Sequence, residues 1–139
     1  MSIAEALVAE HAAIYGYGVV GAFLDVPRKG LAMEAEAAHR GRRDALVLRL
    51  AAQGASAPPA AVRYGLPDPV TDQASALKLA ILLEERTAAA WRAALLVAEG
   101  EDRKLAVDAL TDCAVRATRF RRAAGIAPAV MPFPGRDAG

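Results

Sequence analysis

Cysteine occurs once in this chain of 139 residues, so no disulfide can close within it. Such usage points to a reducing compartment. Aromatic residues make up only 5% of the chain, so a core has to be filled by aliphatic side chains. Val and Ile never gather into alternating runs bounded by turn residues, which excludes strands as the main element. Charge of one sign is not in excess: 17 Lys and Arg stand against 16 Asp and Glu, for a net charge of +1. That is not the basic footprint of a general nucleic-acid binder. No apolar run approaches the roughly 18 residues of a membrane span. The N-terminus carries Glu5 and Glu10 and lacks the basic-then-apolar order of a signal peptide. The expectation is one cytoplasmic domain over residues 1–139, long enough for one core, with no membrane and no nucleic-acid partner.

What is present is Ala, the strongest helix former and a residue that lets helices pack closely. Four helices follow from the periodicity. The first spans residues 2–24, capped by Ser2 with Glu5 three residues on. Its seam Ile3, Leu7, Glu10, Ile14, Tyr17, Gly21 and Leu24 steps by four and three. Residues 25–30, with Pro27 and Gly30, break the chain. The second helix spans 31–53, with the seam Ala32, Glu36, His39, Arg43, Leu46 and Leu50. The neighbouring line Ala35, Ala38, Arg42 and Ala45 is mostly small, so the buried face could be shifted toward it. The third helix, capped by Thr71 or Asp72, runs to residue 98 along Ala74, Leu77, Ile81, Glu84, Ala88, Trp91 and Leu95. The fourth spans 102–124, with Ala106, Leu110, Cys113, Ala117 and Phe120 as its apolar stripe. Residues 126–139 form a Pro-rich tail, extended on the surface, that carries Val130, Met131 and Phe133.

Residues 55–70 form a long irregular connection, unusual between neighbouring helices. Extended at ~3.3 Å per residue, it could travel about 50 Å, more than the roughly 35 Å of such a helix. The third helix can therefore start parallel to the second. Two antiparallel hairpins joined by a long crossover describe an all-α, ferritin-like four-helix bundle.

Gly16-Tyr17-Gly18-Val19-Val20-Gly21 matches the dinucleotide fingerprint G-x-G-x-x-G. That motif needs a strand before it and a helix start after it, whereas residues 4–15 read as helix. The better reading is that these glycines remove bulk where another helix approaches.

Several segments resemble a family of small bacterial ferritin-like proteins catalogued as a domain of unknown function. They are Glu10-His11-Ala12-Ala13-Ile14-Tyr15-Gly16-Tyr17-Gly18, His39-Arg40-x-Arg42-Arg43-Asp44, Tyr64-x-Leu66-Pro67 and Ala90-Trp91-Arg92. The resemblance covers nearly the whole chain. It implies a four-helix bundle and no assigned activity, since shape does not carry function.

A ferritin-type di-metal site takes a Glu from each of two helices and a Glu-x-x-His from each of the other two. This chain offers Glu10, Glu36-x-x-His39 and Glu84, but no His in helix four. Asp108 and Asp112 lie there, off the apolar stripe. Arg43, joined by Arg42 where the buried face shifts toward the small line, brings positive charge that repels a divalent cation. The reading is a buried polar network of Glu10, His39, Arg43 and Glu84, with no metal and no other cofactor. The alternative is a carboxylate-bridged iron or manganese oxidoreductase using Glu10, Glu36, His39 and Glu84. His11 reads as a partly buried, satisfied side chain and Cys113 as a core residue. Tyr15, Tyr17 and Trp91 read as packing residues. The row Arg116, Arg119 and Arg122 complements the helix dipole, with phosphate binding as the sharper reading. The tail's apolar residues and the flat Ala-rich faces point to a homodimer. The function expected is that of a binding or structural protein rather than an enzyme, with any small-molecule ligand unidentified.

Overall fold

The computed structural model describes residues 2–136. Among these residues the protein is all-helical, with four α-helices and no strand: α1 (Ile3–Val20), α2 (Val26–Ala52), α3 (Gln73–Leu95) and α4 (Gly100–Ala123). A 3-10 turn, Gly21–Phe23, extends α1.

The helix starts follow local chemistry. The Ser2 amide donates to Glu5 Oε2 at 2.6 Å. The Asp25 carboxylate accepts the Arg28 amide at 3.1 Å, so α2 begins at Val26 and not after Gly30. Pro27 does not interrupt it, because the first turn of a helix needs no amide donor from that position. The expected break over 25–30 is thus reduced to Leu24 and Asp25. Asp72 caps α3 by accepting the Ser75 amide at 2.8 Å.

Two apolar clusters form the core. One joins Tyr17, Val20, Ala32 and Ala35 to Leu77, Ala80, Leu83 and Phe120. The other joins Ile3, Leu7, Leu46 and Leu50 to Trp91, Ala94, Ala106 and Ala109. The early turns of α2 and α3 therefore share one cluster, and their late turns share the other. The long connection follows the same axis: Ala57 packs on the second cluster, Leu66 and Val70 on the first. Midway, Pro58 O meets His11 Nε2 at 3.0 Å, and the Tyr15 and Tyr64 rings lie 5.3 Å apart.

At Gly16 α3 leaves no room for a side chain: a Cβ there would sit 2.6 Å from Leu83 Cδ1, whereas one at Gly18 or Gly21 would meet nothing within 4 Å. Close approach explains one glycine of the fingerprint and not the other two. Residues Ile3–Phe23 are also long and apolar enough to cross a membrane by length and composition alone, contrary to the expectation that no such stretch exists. Half of an 18-residue window within that stretch is buried within the protein, and the fully buried Glu10 lies in the stretch.

The C-terminal tail returns along the surface of the bundle, and two contacts fix its path. Arg121 Nη1 donates to Ala129 O at 3.2 Å. Further on, Gly135 (φ +83) lies so close to α3 that a Cβ would stand 2.9 Å from Ala88 O. Residues 137–139 of the expected tail lie outside the described residues.

Candidate functional site

Between the two apolar clusters all four helices contribute polar side chains to one interior layer. Glu10 comes from α1, His39 and Arg42 from α2, Glu84 and Trp91 from α3, and Asp112 and Cys113 from α4. Glu10, His39 and Glu84 are each 0% exposed.

His39 is the centre. Its Nδ1 lies 2.5 Å from Glu10 Oε2, and its Nε2 lies 2.8 Å from Glu84 Oε1 and 3.0 Å from Oε2. A carboxylate accepts hydrogen bonds only, so two carboxylate neighbours call for protons on both ring nitrogens, the imidazolium form. Burial pulls the His39 pKa down, but the hydrogen bonds and charges of Glu10 and Glu84 outweigh it, leaving a value of about 9 against an ordinary 6.5. The Tyr17 ring stacks on the imidazole at 5.7 Å between centroids.

Each carboxylate has further donors. Glu10 Oε1 accepts from Trp91 Nε1 at 2.8 Å and from Arg42 Nη1 at 2.9 Å. Glu84 Oε1 accepts from the Tyr17 hydroxyl at 3.0 Å. Burial tends to raise the Glu10 pKa, but His39, Arg42 and Trp91 together hold it below the ordinary carboxyl value. Arg42 spans the layer: its Nη2 donates to Asp112 Oδ2 at 2.8 Å, and the same oxygen accepts from Arg116 Nε at 3.0 Å. The network thus contains three acids (Glu10, Glu84, Asp112) and three basic side chains (His39, Arg42, Arg116). No buried side-chain nitrogen or oxygen among the described residues lacks a partner.

Of the residues singled out from the sequence, the structure brings Glu10, His39 and Glu84 together. Arg43 and Glu36 lie elsewhere. Arg43 pairs with its neighbour Asp44 at 3.0 Å on the surface, and Arg42, one residue earlier, reaches Glu10. Glu36 turns outward to Arg40, 2.7 Å away. The di-metal set Glu10, Glu36, His39 and Glu84 is therefore not assembled. The set His39, Glu84 and Cys113 does offer possible ligand atoms within 4.8 Å of one another. A metal there would have to displace the His39–Glu84 hydrogen bonds. It would also have to strip a proton from Cys113, whose thiol pKa is raised well above its ordinary value, first by burial and then by Glu84.

A family model for a domain of unknown function, DUF4439, matches residues 2–138. The chain belongs to this family. It is similar to the crystal structure of a conserved hypothetical protein, rv2844, from Mycobacterium tuberculosis, with 45% sequence identity and a TM-score of 0.84. That match covers 86% of this chain and 92% of the other. No curated protein matches the chain. Neither the family nor the neighbour comes with an activity, so the chemistry of the layer has to be argued from its own residues.

Three members of the layer, Tyr17, Trp91 and Cys113, carry only a packing role in the sequence pattern. Tyr17 and Trp91 each carry one polar atom on an apolar body, and buried tips of this kind find partners. Their place on the seams that hold Glu10 and Glu84 was the available signal. Asp112 gave a weaker one, since it lies off the apolar stripe of α4 and is recruited by the length of Arg42.

Proposed function

We propose that this protein is a ferritin-like bundle in which a self-contained ion network takes the place of a metal centre, and that it acts as a binding or structural protein. The ferritin-like crossover is supported by the two apolar clusters. Shared early turns and shared late turns fit a parallel α2 and α3, and the connection of residues 55–70 follows the length between them.

One observation carries the functional reading. Both ring nitrogens of His39 are engaged by carboxylates, and the guanidinium of Arg42 takes an oxygen of Glu10. A divalent cation needs free lone pairs and negative surroundings. Here the lone pairs of Glu10 are directed at three donors, and one donor is a fixed positive charge. Buried charges persist where they are paired and hydrogen-bonded, a condition this layer satisfies internally.

The test is thermal unfolding of protein purified without chelators, with Fe(II), Mn(II) or no metal added. A metal that binds only the folded state raises the melting temperature. The expected result is no rise with either metal. A reproducible rise in the wild type, lost in Glu10→Gln and in His39→Gln, would replace this reading with a metal-dependent oxidoreductase.

A further inference from the structure

Between α3, α4 and the returning tail lies a cleft of about 840 Å³, with Glu84 and Cys113 of the polar layer at its floor. That volume lies within the ~300–1,000 Å³ range of small-molecule sites. The tail acts as a strap held at both ends. Arg121 ties down Ala129 at one end and is itself held by Glu85 at 2.5 Å, while Gly135 packs on the α3 backbone at the other. Between these anchors Val130, Met131 and Phe133 remain substantially exposed, facing the same cleft as the exposed Val115.

The walls and the mouth differ in chemistry. Leu110, Ala114, Ala117 and Ala88 line the walls. Thr111 and Thr118 also line them, with their hydroxyls turned to the carbonyls of Val107 and Ala114 in their own helix. Polar capacity at the walls is thus largely used up. Arg119 and Arg122 line the cleft one helical turn apart and have no carboxylate partner among the described residues. The acids that line it are both taken, Glu84 by His39 and Glu85 by Arg121. The cleft is therefore apolar along its length and positively charged toward the C-terminal end of α4. From Leu110 to Arg122 a helix rises about 18 Å, enough to lay an alkyl chain of roughly twelve carbons along it.

We infer that this strapped cleft binds a single-chain amphiphile with a carboxylate head, the chemistry of a medium-chain fatty acid. Its alkyl chain lies along α4 beneath the strap, and its head is held by Arg119 and Arg122. A guanidinium matches a planar carboxylate with two parallel hydrogen bonds. The inference names a ligand for the binding role and uses no residue of the polar layer except at the cleft floor. A metal effect on stability would therefore overturn the network reading and leave this one standing.

The test uses the full chain and isothermal titration with dodecanoate, dodecyl phosphate, dodecanol and dodecyltrimethylammonium, all below their micellar concentrations. Dodecanoate should bind saturably with one site per chain, and dodecanol and the cationic amphiphile at least tenfold more weakly. The double variant Arg119→Ala/Arg122→Ala, altered at exposed positions, should weaken dodecanoate at least tenfold with an unchanged melting temperature. Val115→Asp should weaken dodecanoate and dodecanol alike. Equal binding of all four probes, or dodecanoate binding untouched by the double variant, would overturn the inference. Tighter binding of dodecyl phosphate by tenfold or more would overturn the carboxylate assignment. A concentration-dependent dimer abolished by Val115→Asp, with no dodecanoate binding, would reassign the cleft to a second copy of the chain.

Discussion

Within two turns, α2 carries carboxylate–cation pairs of two kinds. On the outer side Glu36 meets Arg40 at 2.7 Å with the Arg side chain 52% exposed, and Arg43 meets Asp44 at 3.0 Å. On the inner side His39 sits between Glu10 and Glu84 with all three side chains at 0% exposure, and Arg42 bridges Glu10 and Asp112. The distances are alike; the surroundings are not. Exposed pairs compete with water and salt and contribute about 0–1 kcal/mol. Buried pairs are not necessarily stabilising relative to an apolar core of the same shape, yet removing one partner strands the other and costs about 3–5 kcal/mol. Since a domain of this size is stable by roughly 5–15 kcal/mol, the inner pairs can decide whether the chain folds. The outer ones cannot.

The largest effect should come from His39→Leu. It leaves Glu10 and Glu84 facing each other in the interior without the cation between them, and the loss should reach at least the ~3–5 kcal/mol of a broken buried pair. Urea unfolding at neutral pH measures it. A loss under about 1 kcal/mol, the scale of the outer pairs, would erase the contrast between the two faces of α2.

Next in size is Arg42→Met, expected to cost about 3–5 kcal/mol because Glu10 and Asp112 both lose a partner. Arg43→Met, one residue on, should change stability by no more than about 0.5 kcal/mol. This adjacent pair sharpens the comparison most economically: the same substitution, with the outcome set by the face of the helix. A larger loss at Arg43 than at Arg42 would place the wrong guanidinium in the interior.

The alkaline pH dependence follows from His39. Its folded pKa, about 9, lies above the ordinary 6.5, so the stability it contributes is complete below about pH 6.5 and is lost as pH rises through about 9. A shift of this size corresponds to roughly 3 kcal/mol. Denaturation curves from pH 6 to 10, a practical range, should show this decline in the wild type and a smaller, later one in His39→Gln, where the buried thiol of Cys113 and hydroxyl of Tyr17 still ionise only on unfolding.

A smaller effect is expected from Trp91→Phe, which keeps most of the ring and removes the indole N–H that Glu10 Oε1 accepts at 2.8 Å. Hydrogen bonds to charged groups contribute about 1.5–3 kcal/mol. The smallest effect has the opposite sign. Gly18→Ala, at a helical position with open space around it, should stabilise by about 0.5–1 kcal/mol. Gly16→Ala should not, because its new methyl meets Leu83.

The sequence reached the helices and the acids at the centre, and it failed one residue away from the correct guanidinium. Glu10 and Glu84 interrupt apolar seams whose period leaves no doubt about the face they occupy. Arg42 and Arg43 are not separated by period: one is three residues from His39 and four from Leu46, the other four and three. The small line Ala35, Ala38 and Arg42 held the deciding hint, because small residues mark where a helix approaches its neighbours. The seam through His39 and Arg43 points Glu36 inward as well, and its nearby partner Arg40 draws it outward. The surface position of the tail was legible, but its path was not. Its path depends on Arg121 reaching Ala129 and on Gly135 fitting against α3, contacts that no local pattern announces.

The central claim is that the interior is organised around a charged His39 whose two ring nitrogens both donate to carboxylates. Nitrogen-15 NMR of the His39 ring, followed from pH 6 to 10 in the full chain, tests it most directly. The account predicts that both ring nitrogens carry protons at neutral pH and that the ring titrates with a midpoint near 9, well above the ordinary 6.5. A ring with one unprotonated nitrogen at pH 7, titrating at or below the ordinary value, would contradict it.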